Sequence, residues 1–236
     1  MTRLQRRTVA FAVVFAGALS LAAEDLTVVS KTTMDGRAGT STQYMTSTKS
    51  RAADGQSDSI IDFPTGKLAF IDHKARSYWE TTLDEMSASM ERLAKDMKGN
   101  PMAESMFGGS EDVSVTKGKG SRKIAGYDCD DYTMKMGESF EFDVCAAKGL
   151  QPPPQYYEGR KLSFAAMGPM GKRFGKMFDE MKKVKGYPLA VDMDVDMGMV
   201  KISSTSEAVE VKKGTIADSV FEIPAGYKKG KSPFKR

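Results

Sequence analysis

The residues that could carry chemistry in this chain are few. The single histidine, His73, lies in a polar turn, Asp72-His73-Lys74, beside no serine, cysteine or threonine placed to act as a nucleophile. A histidine-based dyad or triad needs such a neighbour, so His73 reads as a surface histidine. Zinc requires histidine and cysteine ligands that the chain lacks. The KGKGSRK run from Lys117 to Lys123 does not have the glycine and lysine spacing that cradles phosphate, and reads as a solvated loop. Two acidic sets, Asp128/Asp130/Asp131 and Asp192/Asp194/Asp196, offer oxygens to calcium but match no EF-hand loop. Their alternation with other residues marks the wet side of a strand. No acid, base or nucleophile set stands out, so the expectation is a non-enzymatic protein with no cofactor and no metal.

The two cysteines, Cys129 and Cys145, lie symmetrically about Gly137. With Gly137 as a hairpin tip, Cys129 faces Cys145, Asp131 faces Asp143 and Thr133 faces Glu141. Tyr132 then faces Phe142, and Met134 faces Phe140. One side is polar and holds the cysteines; the other is apolar, the period-2 pattern of a half-buried strand. A disulfide closing this hairpin would contribute roughly 3 kcal/mol on the chain-entropy model, against the alternative of two free thiols. The Asp131–Asp143 juxtaposition places like charges together: either the register is off, or Lys135 and solvent screen the pair, or a cation sits there.

Methionine is the other anomaly, with 17 residues. Leu83, Met86, Met90, Leu93 and Met97 step by three and four residues, one face of a helix opened by a Thr82/Glu85 capping box and closed at Lys98-Gly99. A short piece, Pro101 to Phe107, adds Met102 and Met106. Lys161 to Lys185 is a second helical region, or helical only from Pro169. Met170, Phe174, Met177 and Met181 lie on its apolar side, and lysines with Arg173 on the other. Methionine is flexible and polarizable and suits surfaces that adapt to varied apolar guests. The residues Met86, Met90, Met97, Met170, Phe174, Met177 and Met181 are therefore candidates to line a hydrophobic ligand site. The same spacing also serves ordinary core packing, and thioether binding of copper(I) is a third use.

These helices interrupt strands. Leu26–Met34, Thr40–Ser50, Ser59–Phe63, Lys67–Asp72 and Ser77–Thr81 are short, β-rich and separated by Asp-Gly and Pro-Thr-Gly turns, an antiparallel meander. Strand signals return at Glu111–Lys117, in the cysteine hairpin, and at Tyr187–Ser203, Ser206–Lys212 and Ser219–Ile223. Gln151 to Pro154 reads as a stiff connector. Residues 1–22 have the arginines, apolar run and small-residue end of a cleaved export signal. Without Arg3, Arg6 and Arg7 the 35 basic and 31 acidic residues nearly balance, so nothing argues for nucleic acid. Two cysteines in an exported chain favour a disulfide. The expected organisation is a signal (1–22), one α+β domain (23–227) and a basic, disordered tail (228–236).

Several stretches resemble the exported bacterial proteins grouped as a domain of unknown function within the LolA/LolB-like lipoprotein-carrier superfamily. They are KLAFID at Lys67–Asp72 with SYWE at Ser77–Glu80, IAGYDC at Ile124–Cys129, Cys145, Gly186-Tyr187-Pro188-Leu189, and FEIPAGYKK at Phe221–Lys229. The resemblance implies a single curved antiparallel sheet, a half-barrel, whose concave face is covered by the two Met-rich helical inserts. In the carriers that concavity receives lipoprotein acyl chains. The expected role is thus periplasmic binding of a lipid or acyl chain; the alternative is an envelope module that docks on a protein or membrane surface, its core filled by its own side chains.

Overall fold

The structure, a computed structural model, describes residues 24–99, 112–137, 139–181, 183–196 and 201–234; at 169, 170 and 172–174 it describes the backbone alone. The export signal and the Pro101–Phe107 piece lie outside the described residues. The strands are β1 (Leu26–Met34), β2 (Arg37–Met45), β3 (Lys49–Ala53), β4 (Ser57–Asp62), β5 (Lys67–Asp72) and β6 (Ser77–Thr82), then β7 (Val113–Ile124), β8 (Tyr127–Met136), β9 (Phe140–Ala147), β10 (Tyr187–Asp196), β11 (Lys201–Lys213) and β12 (Lys228–Lys229). They form one sheet in the order β12-β6-β5-β4-β3-β2-β1-β11-β10-β9-β8-β7. Every pairing is antiparallel except that of β12 with β6. Different strands stand at the two ends of that order, so the sheet is open and curved, not a closed barrel. The helices are α1 (Leu83–Asp96), α2 (Pro154–Ala165) and α3 (Pro169–Met181). The class is α+β, as expected.

Local chemistry accounts for most boundaries. Thr82 caps α1: its hydroxyl accepts from Glu85 N at 3.2 Å, and Glu85 Oε2 accepts from Thr82 N at 3.1 Å. The Thr-rich segment expected as one strand divides at Thr46, whose hydroxyl accepts from Lys49 N at 2.9 Å and turns the chain between β2 and β3. Tyr187–Ser203 likewise divides, into β10 and the start of β11. Ser219–Ile223 is not a strand; Asp218–Phe221 is a turn of 3₁₀ helix that lays Phe221 on Ile60 and Ile71.

The cysteine hairpin is present with its register moved by two residues. Met136 pairs with Phe140, so Cys129 faces Ala147 and Cys145 faces Asp131. The bond between them runs diagonally, with Cα atoms 5.4 Å apart. A shift of two keeps each side chain on its side. It also removes the like-charge clash: Thr133 now faces Asp143 and donates to it at 2.6 Å, and Lys135 faces Glu141 at 3.0 Å. The expected polar face holds only at the outer end. Val144, Cys145, Ala146 and Ala147 are all buried, which a strand covered on both sides requires.

The tail expected to be disordered from Lys228 is placed through residue 234. Lys228–Lys229 pairs with Ser77–Tyr78, Gly230 N donates to Tyr78 O at 2.6 Å, and the Phe234 ring lies 5.7 Å from that of Trp79. The unpaired backbone of edge strand β6 supplies those bonds, which composition does not reveal.

Candidate functional site

The sheet side chains facing α2 and α3 are small or apolar except for Gln43. On β1 and β2 they are Val28, Ser30, Ser41 and Gln43; on β8 and β9, Met134, Phe142 and Val144; on β10 and β11, Leu189, Val191 and Ser206. Register places them side by side: Val28 faces Gln43, Ser30 faces Ser41, Met134 faces Phe142, Val144 faces Val191, and Val191 faces Ser206. Above them α2 brings Tyr156, Tyr157, Arg160 and Phe164, and α3 brings Met177, Phe178 and Met181. Between the two layers is a cavity of about 340 Å³, within the ~300–1,000 Å³ typical of small-molecule sites.

Two glycines let the helices sit where they do. A Cβ at Gly159 would lie 2.1 Å from the Phe63 ring, so α2 reaches the sheet only without one. A Cβ at Gly171 would lie 1.9 Å from the Phe164 carbonyl oxygen, so the first turn of α3 folds back on the end of α2. Pro154 opens α2 at a position where its missing N–H costs nothing. The prolines expected as a connector therefore start a helix.

Two polar side chains of the cavity, Gln43 and Tyr157, bond to the protein itself. Gln43 donates to Ser50 Oγ at 2.6 Å and to Arg51 O at 3.3 Å. Tyr157 donates to Gly186 O at 3.5 Å. Burial pushes the Tyr157 phenol up to about 12, helped by Tyr156. Tyr187 is pushed well above its ordinary value by burial first and by Tyr156 and Tyr157 next, with Arg160 pulling the other way. At neutral pH these phenols are uncharged, and among the described lining residues Arg160 carries a positive charge.

Tyr157, Phe178, Met181 and Pro188 have two sides. They also border an outer groove of about 590 Å³ with Gln151, Pro154, Lys161, Val184 and Lys185. These four side chains are the partition between cavity and exterior.

The expected ligand-site residues fall into three groups. Met177 is buried in the cavity wall, and Met181 both lines the cavity and packs on the Tyr132, Met134 and Val144 cluster. Met86, Met90 and Met97 do not line it. They belong to α1 and its C-cap, and α1 has no buried residue; a Cβ added at Gly168 would lie 3.1 Å from Met90 Cβ, so α1 packs on the α2–α3 junction. The side chains of Met170 and Phe174 lie outside those described. The residues missed were Tyr156, Tyr157, Arg160, Phe164 and Tyr187. Their one signal was aromatic density around the proline run and at Gly186-Tyr187.

His73 is not a free surface residue. Its Nε2 lies 3.0 Å from Asp58 Oδ2 and its Nδ1 lies 2.9 Å from Tyr227 Oη. Asp58 is fully buried and also pairs with Arg51, which donates in turn to Val220 O. This network pins the segment from Ile216 to Tyr227 across β3–β6, beside the cluster of Ile60, Ile71 and Phe221. The acidic residues show no ligand geometry: Asp130 is held by Lys117 and Lys148 at 2.6 and 2.7 Å, and Asp196 by Lys201 at 2.7 Å. Among the described residues no helix is long and apolar enough to cross a membrane.

Residues 16–227 match the family described as Domain of unknown function (DUF4412). The chain belongs to that family. No curated protein matches this DUF4412 member. An uncharacterized conserved protein from Thermus thermophilus has a similar structure at 6% identity and a TM-score of 0.50, covering 89% of this chain and 91% of that one. That likeness speaks for the fold alone. More distant are PNGF-II, at 13% identity and a TM-score of 0.42 over 89% of this chain, and the Pseudomonas aeruginosa MucA/MucB complex, at 10% and 0.44 over 86%. The DUF4412 chain spans 31% of the PNGF-II chain and 56% of the MucB-complex chain.

Proposed function

We propose that this protein is an exported, non-enzymatic binding protein of LolA-like architecture that holds an apolar chain in the cavity between α2–α3 and the sheet. The observation that carries the proposal is the cavity itself. A face that served only as core would be filled by its own side chains; here Val144, Val191, Met134 and Met177 border about 340 Å³ of space. Each methylene placed there would contribute about 0.8 kcal/mol. The flexible Met177 and Met181 side chains suit guests of varied shape. Export is supported by the Cys129–Cys145 disulfide and by the signal-like N-terminal sequence.

The test is direct. Purified protein is extracted with organic solvent and examined by native mass spectrometry, and a neutral fluorescent probe such as N-phenylnaphthylamine is titrated in. A co-purifying apolar molecule or saturable probe binding is expected, and Val191→Trp, which fills the cavity, is expected to abolish it. Neither an extracted molecule nor probe binding would leave the docking-module alternative, in which partners are recognised at the surface.

A further inference from the structure

Arg160 brings a guanidinium to the cavity. Lys161, next along α2, is answered by Asp179 at 3.3 Å. Arg160 is half-buried and lines the cavity, and among the described residues it has no carboxylate partner and no hydrogen-bond acceptor. Its Cζ lies 5.2 Å from the centroid of the Phe164 ring. A guanidinium presents five donors in a planar fork and cannot shed its proton to relieve burial. Taking it part-way out of water against apolar walls costs free energy unless something accepts from it. The surrounding phenols do not carry the countercharge, because burial keeps Tyr157 and Tyr187 protonated.

We infer that the guest is a single-chain amphiphile with an anionic head, the head seated on Arg160 and the tail lying along Met134, Phe142, Val144, Val191 and Met177. This rests on the reading that the cavity takes an apolar chain, and it narrows that reading. A neutral alcohol or simple alkyl ester has no charge to offer Arg160; a free fatty acid or a lysophosphatidate does. Carboxylate and phosphate both accept two parallel bonds from the fork, so the shared chemistry is an anion with two accepting oxygens at the end of one chain.

Isothermal titration with dodecanoic acid, dodecanol, methyl dodecanoate and a lauroyl lysophosphatidate separates the possibilities. Charge-assisted bonds should make at least one acid bind roughly ten- to a hundred-fold tighter than the alcohol and ester. Which acid gains identifies carboxylate or phosphate as the head. Arg160→Met should abolish that preference, and Arg160→Lys should keep part of it. Circular dichroism spectra and melts that match the wild type show that the variants are folded. Equal affinity for acids, alcohol and ester in the wild type, or a preference that survives in Arg160→Met, overturns the inference and leaves the apolar-cavity reading standing. Binding of no compound, including the neutral probe, overturns both.

Discussion

Asp58 is the residue whose loss should cost the fold most per atom removed. Its side chain is 1% exposed and its Arg51 partner 15%, so solvent does little to screen the pair. Asp58→Leu leaves the Arg51 guanidinium buried with the Val220 carbonyl as its remaining acceptor, and leaves His73 Nε2 without its carboxylate. Removing one partner of a buried pair costs about 3–5 kcal/mol, chiefly through the stranded charge. For a chain of this size that corresponds to a fall of roughly 6–20 °C in melting temperature. Replacing both partners, Arg51→Met with Asp58→Leu, removes the stranded guanidinium, while His73 Nε2 and the Val220 carbonyl still lose a partner, and should recover part of the loss. Urea unfolding followed by circular dichroism, run as a double-mutant cycle, measures the coupling. A single-variant cost below about 1 kcal/mol, or a double variant as unstable as the single, would refute the claim that this pair is buried and paired as described.

Other outcomes follow from the same contacts. Reducing the Cys129–Cys145 bond, or Cys129→Ala with Cys145→Ala, should lower stability by roughly 3 kcal/mol, since a loop of 16 residues is released in the unfolded chain; melts with and without reductant read this. Gly159→Ala should destabilise by about 1–3 kcal/mol and weaken neutral-probe binding, because the new Cβ drives α2 from Phe63; an unchanged melt would show that α2 does not press on Phe63. Tyr157 is raised in the folded state from 10.0 to about 12, so its contribution is complete below pH 10 and is lost as pH climbs through 12. Ultraviolet titration should find its phenolate only at the top of that window, and early ionisation in folded protein would contradict its burial.

Much of the secondary structure was written locally. Lys67–Asp72 and Leu26–Met34 alternate and end at turn residues, and both are strands with those bounds. The Thr82/Glu85 box names the start of α1, because a cap needs only its own four residues. The hairpin register failed by two residues because symmetry about Gly137 does not say where a turn ends. The first half of helix α2 failed because its residues show little helical periodicity: Gly159 and the charged Glu158 and Arg160 follow the tyrosines directly.

What the chain's own order determined is the set of strands, the capped α1, and two cysteines within reach of each other. Those depend on neighbours in sequence, where period, turn chemistry and capping act. What the tertiary structure decided is which face each helix meets. Met177 and Met86 are alike in sequence pattern, yet one borders a cavity and the other rides on a helix with no buried residue. His73 sits in an ordinary polar turn until Tyr227, far along the chain, comes to lie against it. Burial is set by segments remote in sequence, so the cation in the cavity and the carboxylate beneath the C-terminal segment became visible only once the sheet had gathered them.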